Sequence, residues 1–248
     1  MGQRIASAPD VLTNDCTHCS LGKLCMPIAV SVEEMDRLNE VIHQGRVVDR
    51  GEHIFYQDEP FRSCYAVKSG SIKTYTVSED GEEQITGFYL PGEVLGLDSV
   101  TMDRYTSCAI ALERSSVCEI PLNKLEELAG QIPSLQHHFF QLMSQEIRGS
   151  RQLAVMLSRN SAEERLASMF IALSKRHERR HLSPYQFRLP MPRADLGNYL
   201  GLAVETVSRL LTRFSKMGLM DVKGRDVTIH DLEGLKEVVS HATSCERA

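Results

Sequence analysis

Two kinds of hydrophobic periodicity follow one another in this chain, and their order narrows the folds open to it. From about Val47 to Pro121 the sequence predicts short strands, with alternating residues over 71–77 and turns marked by glycine. From about Ser134 to Ser158 the period becomes helical. Many short strands joined by glycine turns are typical of a β-barrel or β-roll. We therefore expect an α+β protein in which a β-roll precedes a long helix.

The predicted long helix carries two apolar stripes that are offset by one residue. One stripe is suited to pack against its own domain; its members are Leu135, Phe139, Leu142, Leu153 and Met156. The second stripe is left for a partner, and we predict a parallel homodimer through Phe140, Met143, Ile147, Ser150, Ala154 and Leu157. Gly149 and Ser150 weaken this seam, since a helical glycine costs about 1 kcal/mol relative to alanine. The alternative is one helix covered on both sides within a single subunit.

A helix-turn-helix is predicted after the long helix. Ser161 and Glu164 form a capping-box pattern that starts a new helix. Residues 192–214 then read as two short helices broken at Gly201, which is a helix-turn-helix signature. The following segment, 220–229, predicts a hairpin with a basic tip suited to a phosphate contact. An ordinary amphipathic helical pair with a solvated polar face is the alternative.

The second short helix has a polar face suited to reading bases. Arginine can bind guanine edges, glutamate can accept from the cytosine amine, and serine can bind several edges. Glu205 is informative because phosphates would repel a carboxylate, unless it accepts from a base beside a neighbouring arginine.

The N-terminal region holds three of the chain's seven cysteines in a C-x2-C-x5-C run formed by Cys16, Cys19 and Cys25. Thiolates at this spacing can converge on one small metal centre, so we expect a cofactor. An odd number of cysteines with one tight cluster favours metal ligation in a reducing compartment over a disulfide framework. Cys64 and Cys108 lie in apolar strand contexts and are expected in the core, and Cys245 lies in the tail.

Composition and charge support a two-domain protein. The 248 residues are 42% hydrophobic and 25% charged. Residues 159–248 hold 15 Lys and Arg against 11 Asp and Glu, whereas 1–158 hold 13 against 22. A basic C-terminal part suggests the half that approaches a polyanion. We expect a cytoplasmic protein without a membrane span, because no run of about 18 apolar residues and no secretion signal at 1–7 are present.

Together these motifs resemble the FNR branch of the CRP/FNR transcription regulators. The resemblance rests on the N-terminal cysteines, on Cys118 within Ser-Val-Cys-Glu-Ile-Pro, on Glu-Gln-Ile-Thr-Gly-Phe at 83–88 and on Leu-Gly-Leu-Ala-Val-Glu-Thr-Val-Ser-Arg-Leu-Leu at 200–211. It covers the chain from Cys16 to about Ile229. The family implies a β-roll sensor domain of the cyclic-nucleotide-binding jelly-roll type, a dimerisation helix and a winged helix-turn-helix, and no enzymatic activity.

The resemblance also implies specific sites. It makes Cys16, Cys19, Cys25 and Cys118 the ligands of a 4Fe-4S cluster that reports oxygen. It places Glu205, Ser208 and Arg209 at base-reading positions, on palindromes with TTGAT-like half-sites. It further implies contact with RNA polymerase, for example through the loop around 81–87. The implied domains are a cysteine segment (1–30), the β-roll (31–133), the dimerisation helix (134–158) and the winged helix-turn-helix (159–248).

Two features distinguish this chain from the cyclic-nucleotide branch, which has Gly-Glu-Leu and an Arg-Ser pair in the β-roll. Here Gly96-Leu97-Asp98 and Arg104-Tyr105 occupy those places, so we expect no cyclic nucleotide. A structural zinc site remains an alternative for four thiolates. An iron-sulfur redox protein is another, although no paired acid and base motif for an enzyme is present.

Overall fold

The computed structural model describes residues 16–22 and 24–240. Residues 1–7, on which the expectation of no secretion signal depends, and Cys245 lie outside this part of the chain. The elements confirm an α+β fold that begins with a β-roll and ends with a helix-turn-helix.

Eight strands form the β-roll after a short first helix, α1 (Met35–Val41). They are β1 (His43–Val48), β2 (His53–Phe55), β3 (Ser63–Ser69), β4 (Ile72–Val77), β5 (Glu83–Tyr89), β6 (Val94–Leu95), β7 (Cys108–Ala111) and β8 (Ser115–Pro121). One sheet has the order β1-β8-β3-β6 and the other β2-β7-β4-β5, and neighbouring strands in both sheets are antiparallel. The first strand begins a few residues before the predicted start at Val47.

Apolar side chains from both sheets fill the interior of the roll. Phe55, Tyr65 and Tyr105 stack there, with the Phe55 and Tyr105 ring centroids 4.0 Å apart. Gly70 makes the tight β3–β4 turn possible. Its φ is +78°, and an added Cβ would lie 2.2 Å from the Ser115 hydroxyl, so a larger residue would both strain the turn and clash with β8. Cys64 and Cys108 are buried in the core, as predicted.

Two helices leave the roll. The first is α2 (Leu122–Gln131), and the second is the long α3 (Pro133–Arg159), which lies where helical periodicity was predicted. Pro133 is favourable at the first helical position because its missing N–H has no intrahelical partner there. The helix ends where Asn160 adopts an extended conformation.

Residues 160–240 contain four helices and a small sheet. The helices are α4 (Ala162–Arg179), α5 (Arg193–Leu200), α6 (Val204–Lys216) and α7 (Leu232–Ser240). Both hydrogen bonds of the predicted Ser161 and Glu164 capping box are present at the start of α4. The predicted hairpin is formed by β10 (Met220–Lys223) and β11 (Asp226–Ile229), and an unpredicted strand, β9 (Gln186–Arg188), pairs with β11.

The C-terminal part packs against the roll of its own chain. Lys73 on β4 forms an ion pair with Asp195 on α5, with 3.2 Å between Nζ and Oδ2. Asn198 accepts a hydrogen bond from the Ile85 backbone N–H at 2.7 Å and donates to the Glu83 carbonyl at 2.7 Å. This contact explains why the alternation predicted for 71–77 is incomplete: the outer face of the second sheet is also covered.

No helix within the described ranges 16–22 and 24–240 is both long and apolar enough to cross a membrane.

Candidate functional sites

The cysteine segment forms compact turns beside α1. A 3-10 turn spans Cys16–His18, and a second spans Met26–Ala29. The Cys16 N–H donates to the Asn39 side-chain oxygen at 2.8 Å, which fixes the segment to α1. The Cys25 N–H donates to the Leu21 carbonyl at 3.0 Å, so the chain folds back between the second and third cysteines.

Cys118 approaches this segment from the β-roll. It lies on β8, opposite Ala66 of β3. Burial raises the pKa of its thiol, while a backbone hydrogen bond with Gly45 and the charge of Lys68 lower it, and Cys19 raises it. Cys118 therefore lies within electrostatic range of the N-terminal cysteines despite its distance along the sequence.

Cys25 interacts electrostatically with all three other predicted ligands. Burial raises the pKa of its thiol to about 12, and a backbone hydrogen bond at Met26 opposes this effect. Smaller increases come from Cys118, Cys16 and Cys19. The four thiols therefore lie in one region, where Cys16, Cys25 and Cys118 pack against the same apolar cluster, and none is in a disulfide. They are not at ligating distances, since no group of three or more His, Cys, Asp or Glu side chains in residues 16–22 and 24–240 is arranged to hold a metal.

The donor set fits a thiolate-ligated metal centre. Cysteine sulfurs are soft ligands preferred by zinc and iron-sulfur centres. A buried thiol with a raised pKa loses its proton when it coordinates a metal, because the cation stabilises the thiolate.

The cysteine segment also packs directly on α3. Met26, next to Cys25, is completely buried in the same apolar cluster as Leu135 of α3. Phe139, Leu142 and Met143 of α3 pack around this cluster. A change in the position of the cysteine segment would therefore change the packing on the inner face of α3.

The outer face of α3 is exposed. Phe140 is 60% exposed and Ile147 is 51% exposed, and Ser150 and Ala154 are also open to solvent. The other two predicted seam residues, Met143 and Leu157, are half-buried against their own subunit.

The helix-turn-helix depends on two glycines. Gly201 ends α5 with a φ of +62°, which favours glycine. An added Cβ at Gly197 would lie 2.6 Å from the Leu202 carbonyl oxygen, so glycine allows α5 to pack closely against the turn. The apolar face of α6 is buried through Val207, Leu210, Leu211 and Phe214.

The predicted reading face of α6 is open. Glu205 and Arg209 are exposed, and Ser208 is half-buried. Arg193 at the start of α5 donates from Nη1 to the Ser208 hydroxyl at 3.4 Å. Arg193 was missed by the sequence analysis because its place beside the reading face depends on how α5 crosses α6.

The hairpin beside α6 carries two basic residues near its tip, and they have different surroundings. Lys223 is exposed. Arg225, the other basic residue of the predicted tip, instead donates to the Pro190 carbonyl at 3.1 Å and supports the loop before α5. The predicted phosphate contact is therefore better placed at Lys223 than at Arg225.

Each half of the chain matches a known protein family. Residues 45–131 match the family model for the cyclic nucleotide-binding domain, and residues 164–238 match the Crp-like helix-turn-helix domain. The chain is 48% identical over 216 residues to the transcriptional activator protein anr of Pseudomonas aeruginosa, covering 87% of this chain and 88% of that protein. It is 46% identical over 223 residues to the anaerobic regulatory protein of Haemophilus influenzae, covering 90% and 87%.

The chain belongs to the FNR branch of the CRP/FNR family.

A solved structure extends the likeness to three dimensions. FixK2 from Bradyrhizobium japonicum superposes with a TM-score of 0.72 at 30% identity, covering 79% of this chain and 96% of that one. The present chain, as a member of the CRP/FNR family, is a DNA-binding transcription regulator and not an enzyme.

Proposed function

We propose that this regulator responds to oxygen through a 4Fe-4S cluster held by Cys16, Cys19, Cys25 and Cys118, and that it acts in the cytoplasm. The observation that carries the proposal is the shared neighbourhood of these four thiols, which come from two separate parts of the chain. A relative named as an anaerobic regulatory protein supports a role tied to oxygen supply. When bound, such a cluster supplies a centre that oxygen can destroy.

The cysteine segment is placed to influence dimerisation. Met26 and the inner face of α3 lie in one apolar core, so ordering the segment would order α3. The exposed seam has heptad spacing, with Phe140, Ile147 and Ala154 seven residues apart. Ser150 lies between Ile147 and Ala154 and contributes little apolar area. We infer that α3 pairs weakly with a second copy and that the cluster shifts this balance.

Two paired α6 helices would read a palindrome with TTGAT-like half-sites. Glu205, Ser208 and Arg209 are the proposed base contacts, and the exposure of Glu205 and Arg209 supports this role. A two-fold dimer matches a two-fold DNA site, with half-sites about one helical turn apart.

RNA polymerase is the proposed partner at the promoter. The loop between β4 and β5 is exposed around Asp80 and Gly81, while the backbones of Glu83 and Ile85 are hydrogen-bonded to Asn198, so the tip of the loop is the part open to a partner.

Cyclic nucleotide is not a proposed ligand, since Arg104 is exposed and donates to the Asp58 carbonyl.

The test uses protein purified without oxygen. We expect iron and sulfide in the protein, a brown colour, a dimer in sedimentation and tight binding to a TTGAT-type palindrome at fixed salt. Admission of air should bleach the colour and weaken DNA binding together. Colourless protein containing zinc, with DNA binding unaffected by air, would contradict the sensor and leave the DNA-binding assignment intact.

A further inference from the structure

We infer that Arg165 is a positioning residue that fixes the angle between the dimerisation helix and the reading helix, and so sets the half-site spacing that the dimer accepts. This inference rests on the proposed reading of a palindrome by two copies. The hydrogen bonds of Arg165 reach neither the proposed cluster ligands nor the proposed base contacts.

The Arg165 guanidinium binds three carbonyls from three places in the chain. Nη2 donates to the Leu157 carbonyl of α3 at 2.6 Å, and Nε donates to the Asn160 carbonyl at the α3–α4 break at 2.9 Å. Nη1 donates to the Leu200 carbonyl at the end of α5, at 3.2 Å. One side chain thus joins the dimerisation helix, the break and the helix-turn-helix.

The Leu157 carbonyl needs a donor from outside α3. In a continuing α-helix the Leu157 carbonyl would accept from the N–H of Ser161. That N–H is instead used by the capping box and donates to the Glu164 carboxylate at 2.6 Å. The break in the helix therefore leaves an acceptor that Arg165 satisfies.

The contact at α5 lies directly before the turn to the reading helix. An added Cβ at Gly201 would lie 3.5 Å from Arg165 Nη1 and 3.8 Å from the Leu157 side chain. The turn therefore rests on the guanidinium and on the last turns of α3. Because α6 begins only three residues after Gly201, the direction of α6 relative to α3 depends on this contact together with the contacts that α5 makes with the roll.

Arginine is required for this arrangement by its shape. Its planar fork offers donors in several directions at once, whereas lysine has a single ammonium on a flexible stem. Lysine at 165 would keep the charge and could keep one bond, but it could not join all three carbonyls. We expect the two halves to remain folded while the angle between them becomes variable.

The experiment measures how strongly DNA affinity depends on half-site spacing. The probes are duplexes with two inverted TTGAT-type half-sites, at the preferred spacing and with one or two base pairs added or removed, plus a duplex with one half-site. Each added base pair rotates one half-site by about 34° and moves it by about 3.4 Å. The proteins are the full-length wild type, Arg165→Lys and Arg165→Gln, all prepared without oxygen. Arg179→Lys is the control, since Arg179 is an exposed arginine on the same helix.

We expect the wild type and Arg179→Lys to lose about tenfold or more in affinity when the spacing is changed. Both Arg165 variants should lose less than about threefold, while binding the single half-site as well as the wild type does. A wild-type spacing profile in the variants would overturn the inference, as would an equal loss on every probe, which indicates only impaired folding. If the wild type itself bound palindromes no better than one half-site, the proposed dimeric reading would fail first, and the inference with it.

Discussion

Replacement of Ser150 by leucine should produce dimers without any cluster. Ser150 is exposed on α3, between Ile147 and Ala154 in the heptad seam. Full burial of a leucine side chain is worth about 1.5–3 kcal/mol. Two copies meet in a dimer, so even half-complete burial would add about 1.5–3 kcal/mol, which tightens the dimer roughly 10-fold to 150-fold. A typical coupling free energy between two sites is about 1–3 kcal/mol, so the substitution can replace the effect of the cluster.

The assay is sedimentation velocity on cluster-free protein over a range of concentrations, followed by binding to the palindrome in air. We expect Ser150→Leu to sediment as a dimer and to bind DNA where the wild type does neither well. Ser134→Leu is a matched control, because Ser134 is exposed on the same helix but lies off the seam. If cluster-free Ser150→Leu remains a monomer, our assignment of the seam is wrong.

Three further predictions address the other parts of the molecule. Cys118→Ala should abolish iron and sulfide retention under anaerobic purification, whereas Cys108→Ala, at a buried cysteine outside the proposed site, should retain both; equal iron in the two variants would refute the ligand assignment. Arg209→Ala should weaken binding to the specific palindrome by about 1–3 kcal/mol at fixed salt and leave binding to unrelated DNA nearly unchanged. Burial, followed by the charge of two neighbouring arginines, lowers the pKa of His177 below its usual 6.5. The unfolded chain therefore binds this proton more readily, and stability should fall as pH drops from about 7.5 to 5.5. His177→Phe should reduce that fall in thermal unfolding curves, and an unchanged pH dependence would contradict the assignment.

Features set by neighbouring residues were predictable from the sequence. The capping box at Ser161 and the break at Gly201 depend on contacts within a few residues, and both are present. Burial of Cys64 and Cys108 followed from their apolar strand contexts.

Features set by distant contacts were not predictable in the same way. Spacing alone did not identify Cys118, which entered only through the family resemblance, because its approach to Cys25 depends on the packing of β8 against the cysteine segment. The role of Arg165 was also hidden, since all of its acceptors are backbone carbonyls and carry no sequence signature. The incomplete alternation in β4 likewise depends on α5, through the ion pair of Lys73 with Asp195.

The exposure of the reading face limits how regulation can work. Glu205 and Arg209 are open to solvent in a single subunit, even though α5 packs against the roll of the same chain. A signal from the cysteine segment therefore has no need to uncover these side chains. A single half-site offers few base contacts, whereas linking two reading helices makes the second binding event intramolecular and raises affinity without any new contact. Control is then most effective at the step that joins the two helices. In the proposed dimer, that step requires a seam that is weak by itself, which Ser150 and Ala154 of α3 would supply, and a rigid connection from the seam to α6, which the Arg165 contacts would supply. A stronger seam would keep the dimer in air, and a looser connection would let the dimer form without aligning its reading helices.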